Sequence, residues 1–379
     1  MKSADTLPLN WKGRVRLSEA TELRVRSAQK ESATVKVMIA TPLEEELVRK
    51  IEGTDARLEV LYDHTLLPPP RYPSDHKGEP GFRRDPAGER RWEEMLESAE
   101  VLFGIPGDSP EMLREFVRRA TRVEWIQATS AGAGEQVRVA GLSPRELDRV
   151  IVTTSSGIHA GPLAEFCLFG LLAFTKGLPR LLRDKQEKRW DHYPTRELKG
   201  TTILVVGLGN IGLEVARLAR SFGMHTIGLK RRPDTALPHV EELHPSEDLK
   251  DLVPRADAVV VTLPLTERTA GMVDREAISL MKPECVFVNV GRGGVVDEEA
   301  LIESLENRRI AGAALDVFLT EPLPPESPLW DLPNVLISPH TAALAESENE
   351  RIVDLFQNNL RLYLEEQPLL NRVDPQDFY

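Results

Sequence analysis

Three observations predict an α/β protein built on doubly wound parallel sheets. Short β-branched runs alternate with helical patterns along most of the chain, one such run passes through a glycine triplet into a helix, and three polar residues stand just after later strand-like runs. Strands alternating with helices imply parallel sheets covered on both faces. At 379 residues the chain fits two such units.

The first unit is read from residues 35 to 158. A strand, Val35 to Ala40, leads through Thr41-Pro42 into a helix ending near Glu52, and a second strand covers Leu58 to Tyr62. His64 to Arg90 is rich in Pro, Gly and charge. It is longer than ordinary connections, so it reads as an extended surface loop or a lid. A helix from Arg91 to Ser98, a strand from Val101 to Gly104, a helix from Pro110 to Ala120 and a strand from Val123 to Ala128 continue the alternation. Residues 1–33 lack a clear period and read as an N-terminal extension.

A helical pattern from Ala160 to about Arg189 opens the second unit. Its apolar half, Phe166 to Phe174, is richer than a surface helix needs, which points to burial between domains or subunits. The run Thr201 to Val206 then enters Gly207-Leu-Gly-Asn-Ile-Gly212, and a helical pattern follows at once. In this Rossmann-type setting Gly207 allows the tight turn, Gly209 lets a pyrophosphate approach the backbone, and Gly212 lets helix and strand pack closely. Asn210 and Ile211 fall in the same turn. The phosphates sit on free N–H groups at the helix N-terminus.

The second strand of this unit, His225 to Leu229, ends in Lys230-Arg231-Arg232, where a carboxylate usually holds an adenosine 2′-hydroxyl. Guanidinium groups bind a 2′-phosphate instead, so NADP is preferred and NAD remains possible. Asp234 is the only acid nearby. Four more strands follow at Ala258 to Leu263, Val286 to Val290, Ala311 to Asp316 and Val335 to Ser338. A terminal helix covers Leu344 to Leu364, and Pro339 is the crossing point back to the first unit.

The bulk numbers exclude several classes. With 48 basic and 60 acidic residues the net charge is −12, which argues against a nucleic-acid binder. The longest apolar run is far short of a membrane span, and no signal segment opens the chain. Cys167 and Cys285 have no metal spacing and read as buried thiols, so the expectation is a cytoplasmic protein without a metal.

Arg292, Glu321 and His340 each follow a strand of the second unit, so one crevice would receive a cation, a carboxylate and an imidazole. That trio suits hydride transfer to a 2-oxo acid. Histidine gives a proton to the developing alkoxide, a carboxylate favours and orients the imidazolium, and arginine binds substrate oxygen.

At these residues the chain resembles the D-isomer-specific 2-hydroxyacid dehydrogenase family. The resembling stretches are the glycine fingerprint, Leu263-Pro-Leu-Thr266, Asn289-Val-Gly-Arg-Gly-Gly294, Leu315-Asp-Val-Phe-Leu-Thr-Glu-Pro322 and Ser338-Pro-His-Thr341. The resemblance implies that Arg292 binds substrate, His340 is the acid/base and Glu321 its partner. It implies that Asp316 hydrogen-bonds the nicotinamide carboxamide and that Thr262, Leu263 and Pro264 line the cofactor; Thr269, Val290 and Gly291 join that set. Ser130-Ala131-Gly132-Ala133-Gly134 resembles the loop whose N–H groups hold the substrate carboxylate. The implied architecture inserts the Rossmann-type cofactor domain, residues 159–339, into a smaller, discontinuous flavodoxin-like substrate domain made of residues 34–158 and 340–379. The implied assembly is a homodimer through the helix before the fingerprint. The basic Lys230 is similar to NADP-using glyoxylate and hydroxypyruvate reductases. The alternatives are a dinucleotide-sensing co-repressor and a phosphoglycerate dehydrogenase-like enzyme, for which Arg83 and Arg84 would have to reach the substrate.

Overall fold

The computed structural model describes residues 34–233 and 236–375. The 1–33 extension, Asp234 and the last four residues lie outside the described residues.

Two all-parallel sheets form. The first contains β1 (Val35–Ile39), β2 (Leu58–Leu61), β3 (Val101–Phe103), β4 (Trp125–Gln127) and β5 (Ile151–Thr153), in the order β2-β1-β3-β4-β5. The second contains β6 (Thr202–Val206), β7 (His225–Leu229), β8 (Glu242–His244), β9 (Ala258–Val261), β10 (Val286–Asn289), β11 (Gly312–Leu315) and β12 (Val335–Ile337), in the order β12-β11-β10-β9-β6-β7-β8. Both are doubly wound, and the order reverses at β1/β3 and at β6/β9. Ligands of such sheets bind beyond the carboxyl ends of the strands at these reversals. The inner strands are apolar on both faces, as in β9 (AVVV, all buried), because helices cover each side.

Two strands, β5 and β8, were not expected from the sequence. Both are three-residue edge strands, and in β8 (ELH) no residue is buried, so no apolar run marks it. The helix expected from Arg91 begins at Pro86 instead, where Asp85 accepts a hydrogen bond from the Gly88 N–H and Pro86 sits in the first turn. The terminal helix runs Glu348–Leu364 rather than starting at Leu344. Ile352, Val353, Phe356 and Leu360 bury it against the first sheet, with the Phe356 ring 4.9 Å from that of Phe103 and 5.0 Å from that of Trp125.

The single helix expected from Ala160 to Arg189 is two helices, Ala160–Thr175 and Leu178–Gln186, bent by 60°. Gly177 takes a left-handed conformation at the break (φ 70°) and Pro179 follows in the next turn, so the first helix cannot continue. Part of the apolar surplus is spent within the second unit. Leu163, Cys167, Leu168 and Leu171 pack on the second sheet. A Cβ on Gly170 would lie 2.6 Å from the Ala314 Cβ, so this helix sits hard on β11. Only the opposite side stays open, where Phe169 is half exposed.

The long segment from His64 is anchored rather than loose. A short 3₁₀ turn opens it, Asp75 is buried under Arg71 with Nε 2.7 Å from Oδ2, and Arg84 stacks on the Trp92 ring at 3.8 Å. Among the described residues no single helix is long and apolar enough to cross a membrane.

Candidate active site

The glycine turn is shaped for a phosphate group. Gly207 takes φ 108°, a region closed to most L side chains. A Cβ on Gly212 would fall 2.0 Å from the Gly207 carbonyl oxygen, so the helix Asn210–Ser221 can approach β6 only with glycine there. A Cβ on Gly209 would meet nothing within 4 Å, and that residue caps the helix with no side chain. The first-turn N–H groups are therefore left to a ligand, and these residues fit a dinucleotide pyrophosphate. Asn210 in this turn abuts Gly157, whose added Cβ would lie 3.0 Å from Nδ2, and Ile211 is half-buried beside it.

The other residues assigned to the cofactor divide into those facing the crevice and those used to build it. The Thr262 hydroxyl donates to the Gly207 carbonyl at 2.5 Å. Leu263 packs against Gly207, and its backbone lies so close to Gly291 that a Cβ there would be 2.5 Å away. The Thr269 hydroxyl donates to the Pro264 carbonyl at 2.6 Å and receives the Thr266 N–H at 2.8 Å, so it closes its own loop. Val290 is buried and continues the ladder to Val261. Beyond β7, Lys230 is half-buried and bonds His244 through its backbone. Arg231 and Arg232 are exposed, with no ion-pair partner among the described residues.

The three polar residues read from the sequence occupy one edge. Glu321 and His340, 19 positions apart, form a pair with Nδ1 2.7 Å from Oε2. The second oxygen, Glu321 Oε1, accepts the Phe318 N–H at 3.0 Å. Burial by itself raises the Glu321 carboxyl. The hydrogen bonds from His340 and Phe318, with the charges of His340 and Arg292, outweigh it and hold the group below the usual carboxylate value. Arg292 enters from the turn after β10, with Nη1 donating to the Gly291 carbonyl at 2.7 Å. A Cβ placed on Gly132 would sit 3.5 Å from Arg292 Nη2. The small-residue loop Ala131-Gly132-Ala133 after β4 thus faces the arginine across the cleft.

Two residues outside the expected trio fix this geometry. His340 has φ 56°, uncommon for a non-glycine residue. Asp316, only 2% exposed, holds the loop in that shape: one oxygen accepts from the Ser338 hydroxyl at 2.6 Å and from the Thr341 and Ala342 N–H groups at 2.9 Å each. Asn289 is buried, and its side chain receives the Gly291 N–H at 3.0 Å and donates to the Arg292 carbonyl at 3.2 Å. Sequence reasoning missed Asn289 and Ser338 as supports. The one available signal was a polar residue ending each apolar strand run. His159, just before the helix Ala160–Thr175, has Nε2 3.0 Å from Oε1 of buried Glu348 at the start of the terminal helix. Among the described residues no group of His, Cys, Asp or Glu is placed to hold a metal ion.

Two doubly wound sheets, with a phosphate-shaped glycine turn on the larger and an acid–base pair at its strand ends, define a two-unit protein of the Rossmann-type dinucleotide-binding class. Comparison with known proteins narrows the class. A model of the D-isomer specific 2-hydroxyacid dehydrogenase NAD binding domain matches residues 168–342. A glyoxylate reductase from Thermofilum pendens is 37% identical over 221 residues, covering 56% of this chain and 64% of that protein. A glyoxylate/hydroxypyruvate reductase B from Pectobacterium carotovorum is 32% identical over 280 residues, covering 72% and 86%. A D-3-phosphoglycerate dehydrogenase from Methanocaldococcus jannaschii is 32% identical, covering 67% and 47%. The chain thus spans under two thirds of the length of the first and last of these relatives. Among solved structures, the D-isomer specific 2-hydroxyacid dehydrogenase from Xanthobacter autotrophicus Py2 in complex with NADPH and MES superposes with a TM-score of 0.70 at 28% identity, covering 92% of this chain and 100% of that one. The chain belongs to the D-isomer specific 2-hydroxyacid dehydrogenase family.

Proposed function

We propose that the protein reduces a small 2-oxo acid of the glyoxylate or hydroxypyruvate type to the D-2-hydroxy acid, with NADPH preferred over NADH. The observation that carries this reading is the His340–Glu321 pair facing Arg292, with Gly132 directly opposite the guanidinium. A reduced dinucleotide bound on the glycine turn supplies the hydride. Arg292 and the N–H groups of Ala131, Gly132 and Ala133 orient the substrate carboxylate. Arg292 also stabilises the oxygen on which charge develops. His340, protonated at Nδ1 toward Glu321, gives its Nε2 proton to the alkoxide oxygen, and Glu321 offsets the imidazolium charge before that transfer. Lys230, Arg231 and Arg232 take the 2′-phosphate; among the described residues none of the three has a carboxylate partner. Asp316 serves chiefly to hold the His340 loop.

The working unit in this reading is a cytoplasmic homodimer, with residues 159–339 as the cofactor domain and 34–158 with 340–379 as the substrate domain. Support for dimerisation comes from the exposed apolar side chains Phe169, Leu181, Leu182 and Trp190 on and beside the two bent helices. Two buried free thiols fit a reducing compartment. Of the two arginines a phosphorylated acid would call on, Arg84 is engaged elsewhere, donating to the Leu66 carbonyl and stacking on Trp92. The test is oxidation of NADPH and NADH followed at 340 nm with glyoxylate, hydroxypyruvate, pyruvate and longer 2-oxo acids. NADPH turnover well above NADH with a two- or three-carbon acid supports the reading, and tight NADPH binding without turnover of any acid overturns it.

A further inference from the structure

The segment 74–78 does not hang over the surface. It crosses the carboxyl ends of β1 and β3, and β3 pairs with β4, whose following loop faces Arg292. The His76 carbonyl accepts the Thr41 hydroxyl just past β1 at 3.0 Å, and His76 Nε2 lies 2.8 Å from Asn349 Oδ1 on the terminal helix. The amide of Asn349 also donates to both Glu44 oxygens, at 3.1 and 2.9 Å, so the strap is tied from two sides. The next residue, Lys77, reaches toward the loop after β3, with Nζ 3.9 Å from Asp108 Oδ2. Asp108 takes a left-handed conformation (φ 48°) directly after left-handed Gly107. Gln136 holds it there through Nε2, at 2.6 Å from Oδ1 and 3.3 Å from the carbonyl. Gln136 lies in the first turn of the helix Ala133–Ala140, which begins at the Ala131–Ala133 loop.

Gln136 stands about one helical turn from the carboxylate loop, and Asp108 and the largely exposed Lys77 follow from it in a polar row. Among the described residues three buried polar atoms around it have no hydrogen-bond partner: Ser74 Oγ in the strap, Ser130 Oγ at the start of the carboxylate loop and Gln136 Oε1. Buried polar atoms without partners are rare.

We propose that Lys77 and Asp108, set by Gln136, are specificity-determining residues that select 2-oxo acids bearing a hydroxyl on C3 over those bearing a methyl. This rests on the reading of the preceding subsection and names the substrate within it. A separation of 3.9 Å is too long for a direct hydrogen bond. Two hydrogen bonds of about 2.8 Å, meeting at roughly a right angle on one oxygen, span about 4 Å. A hydroxyl that donates to Asp108 and accepts from Lys77 closes this gap. A second anionic group is opposed by Asp108. A methyl group strips water from the pair and returns nothing.

The test is the ratio of kcat/KM for hydroxypyruvate to that for pyruvate, measured with NADPH for the full chain and for K77M and D108N. Methionine keeps the length of Lys77 without its N–H donors, and asparagine tolerates the left-handed backbone while replacing the free acceptor. NADPH titration by fluorescence checks that each variant is folded, and the two variants lie on different segments, so either alone decides. The expected ratio is above about tenfold in the wild type and falls by about tenfold in each variant through the hydroxypyruvate parameter. A ratio that stays within about twofold of wild type, or a wild type that prefers pyruvate, overturns the assignment while leaving the 2-oxo acid reading intact. A wild type that turns over no 2-oxo acid overturns both.

Discussion

His340 Nδ1 lies 2.7 Å from Glu321 Oε2, and the other oxygen of that carboxylate is held by the Phe318 N–H. The acid thus has a fixed orientation before any substrate arrives. The imidazole nitrogen it does not engage, Nε2, is left for chemistry.

Replacing Glu321 by Gln keeps the shape and removes the charge. We expect kcat to fall at least about tenfold. The carboxyl is held below its ordinary value of 4.5, so the pair stabilises the fold above that pH, and this contribution is lost as pH falls through the lower folded value. Thermal unfolding of wild type and E321Q compared from neutral pH downward checks this. The difference in Tm should persist down to pH 4.5 and shrink below it; a difference that grows with acidification contradicts the assignment.

His340→Ala removes the proposed proton donor while leaving the glycine turn untouched. The expected loss in kcat is about 10²- to 10⁴-fold. NADPH affinity, read by fluorescence, should stay near that of wild type. Near-normal turnover in this variant would remove His340 from the chemistry.

Asp316→Ala leaves a hydroxyl and two backbone N–H groups without their shared acceptor in a buried site. Such a loss costs about 3 kcal/mol, which urea unfolding reads directly. Activity should drop further than stability explains, because His340 loses its left-handed loop conformation. A variant as stable as wild type would show that the loop holds itself.

Arg231→Ala combined with Arg232→Ala should raise the Kd for NADPH by at least about tenfold and leave that for NADH nearly unchanged, since only the former carries the 2′-phosphate. Equal weakening of both dinucleotides would point to a general electrostatic effect instead.

Much of this was legible in one dimension because strand, turn and helix are local. The fingerprint from Gly207 to Gly212 states its own geometry. The strand ends carrying Arg292, Glu321 and His340 could be found because the apolar runs before them stop abruptly. The break at Gly177 was missed although its signal, glycine followed by proline, stood in the chain; the apolar pattern on either side masked it. Strands β5 and β8 lie at sheet edges, and the ELH of β8 offered no apolar run to read.

Residue type and local spacing thus determined the α/β class, the dinucleotide turn and the identity of the polar trio. Only the tertiary structure decided which groups meet. The close approach of Glu321 to His340, and the hold of one Asp316 oxygen on the loop that carries His340, depend on neighbouring strands with no fixed separation in sequence. The path that sets Lys77 opposite Asp108 is likewise fixed by side chains 273 positions apart, His76 and Asn349, whose encounter no local pattern encodes.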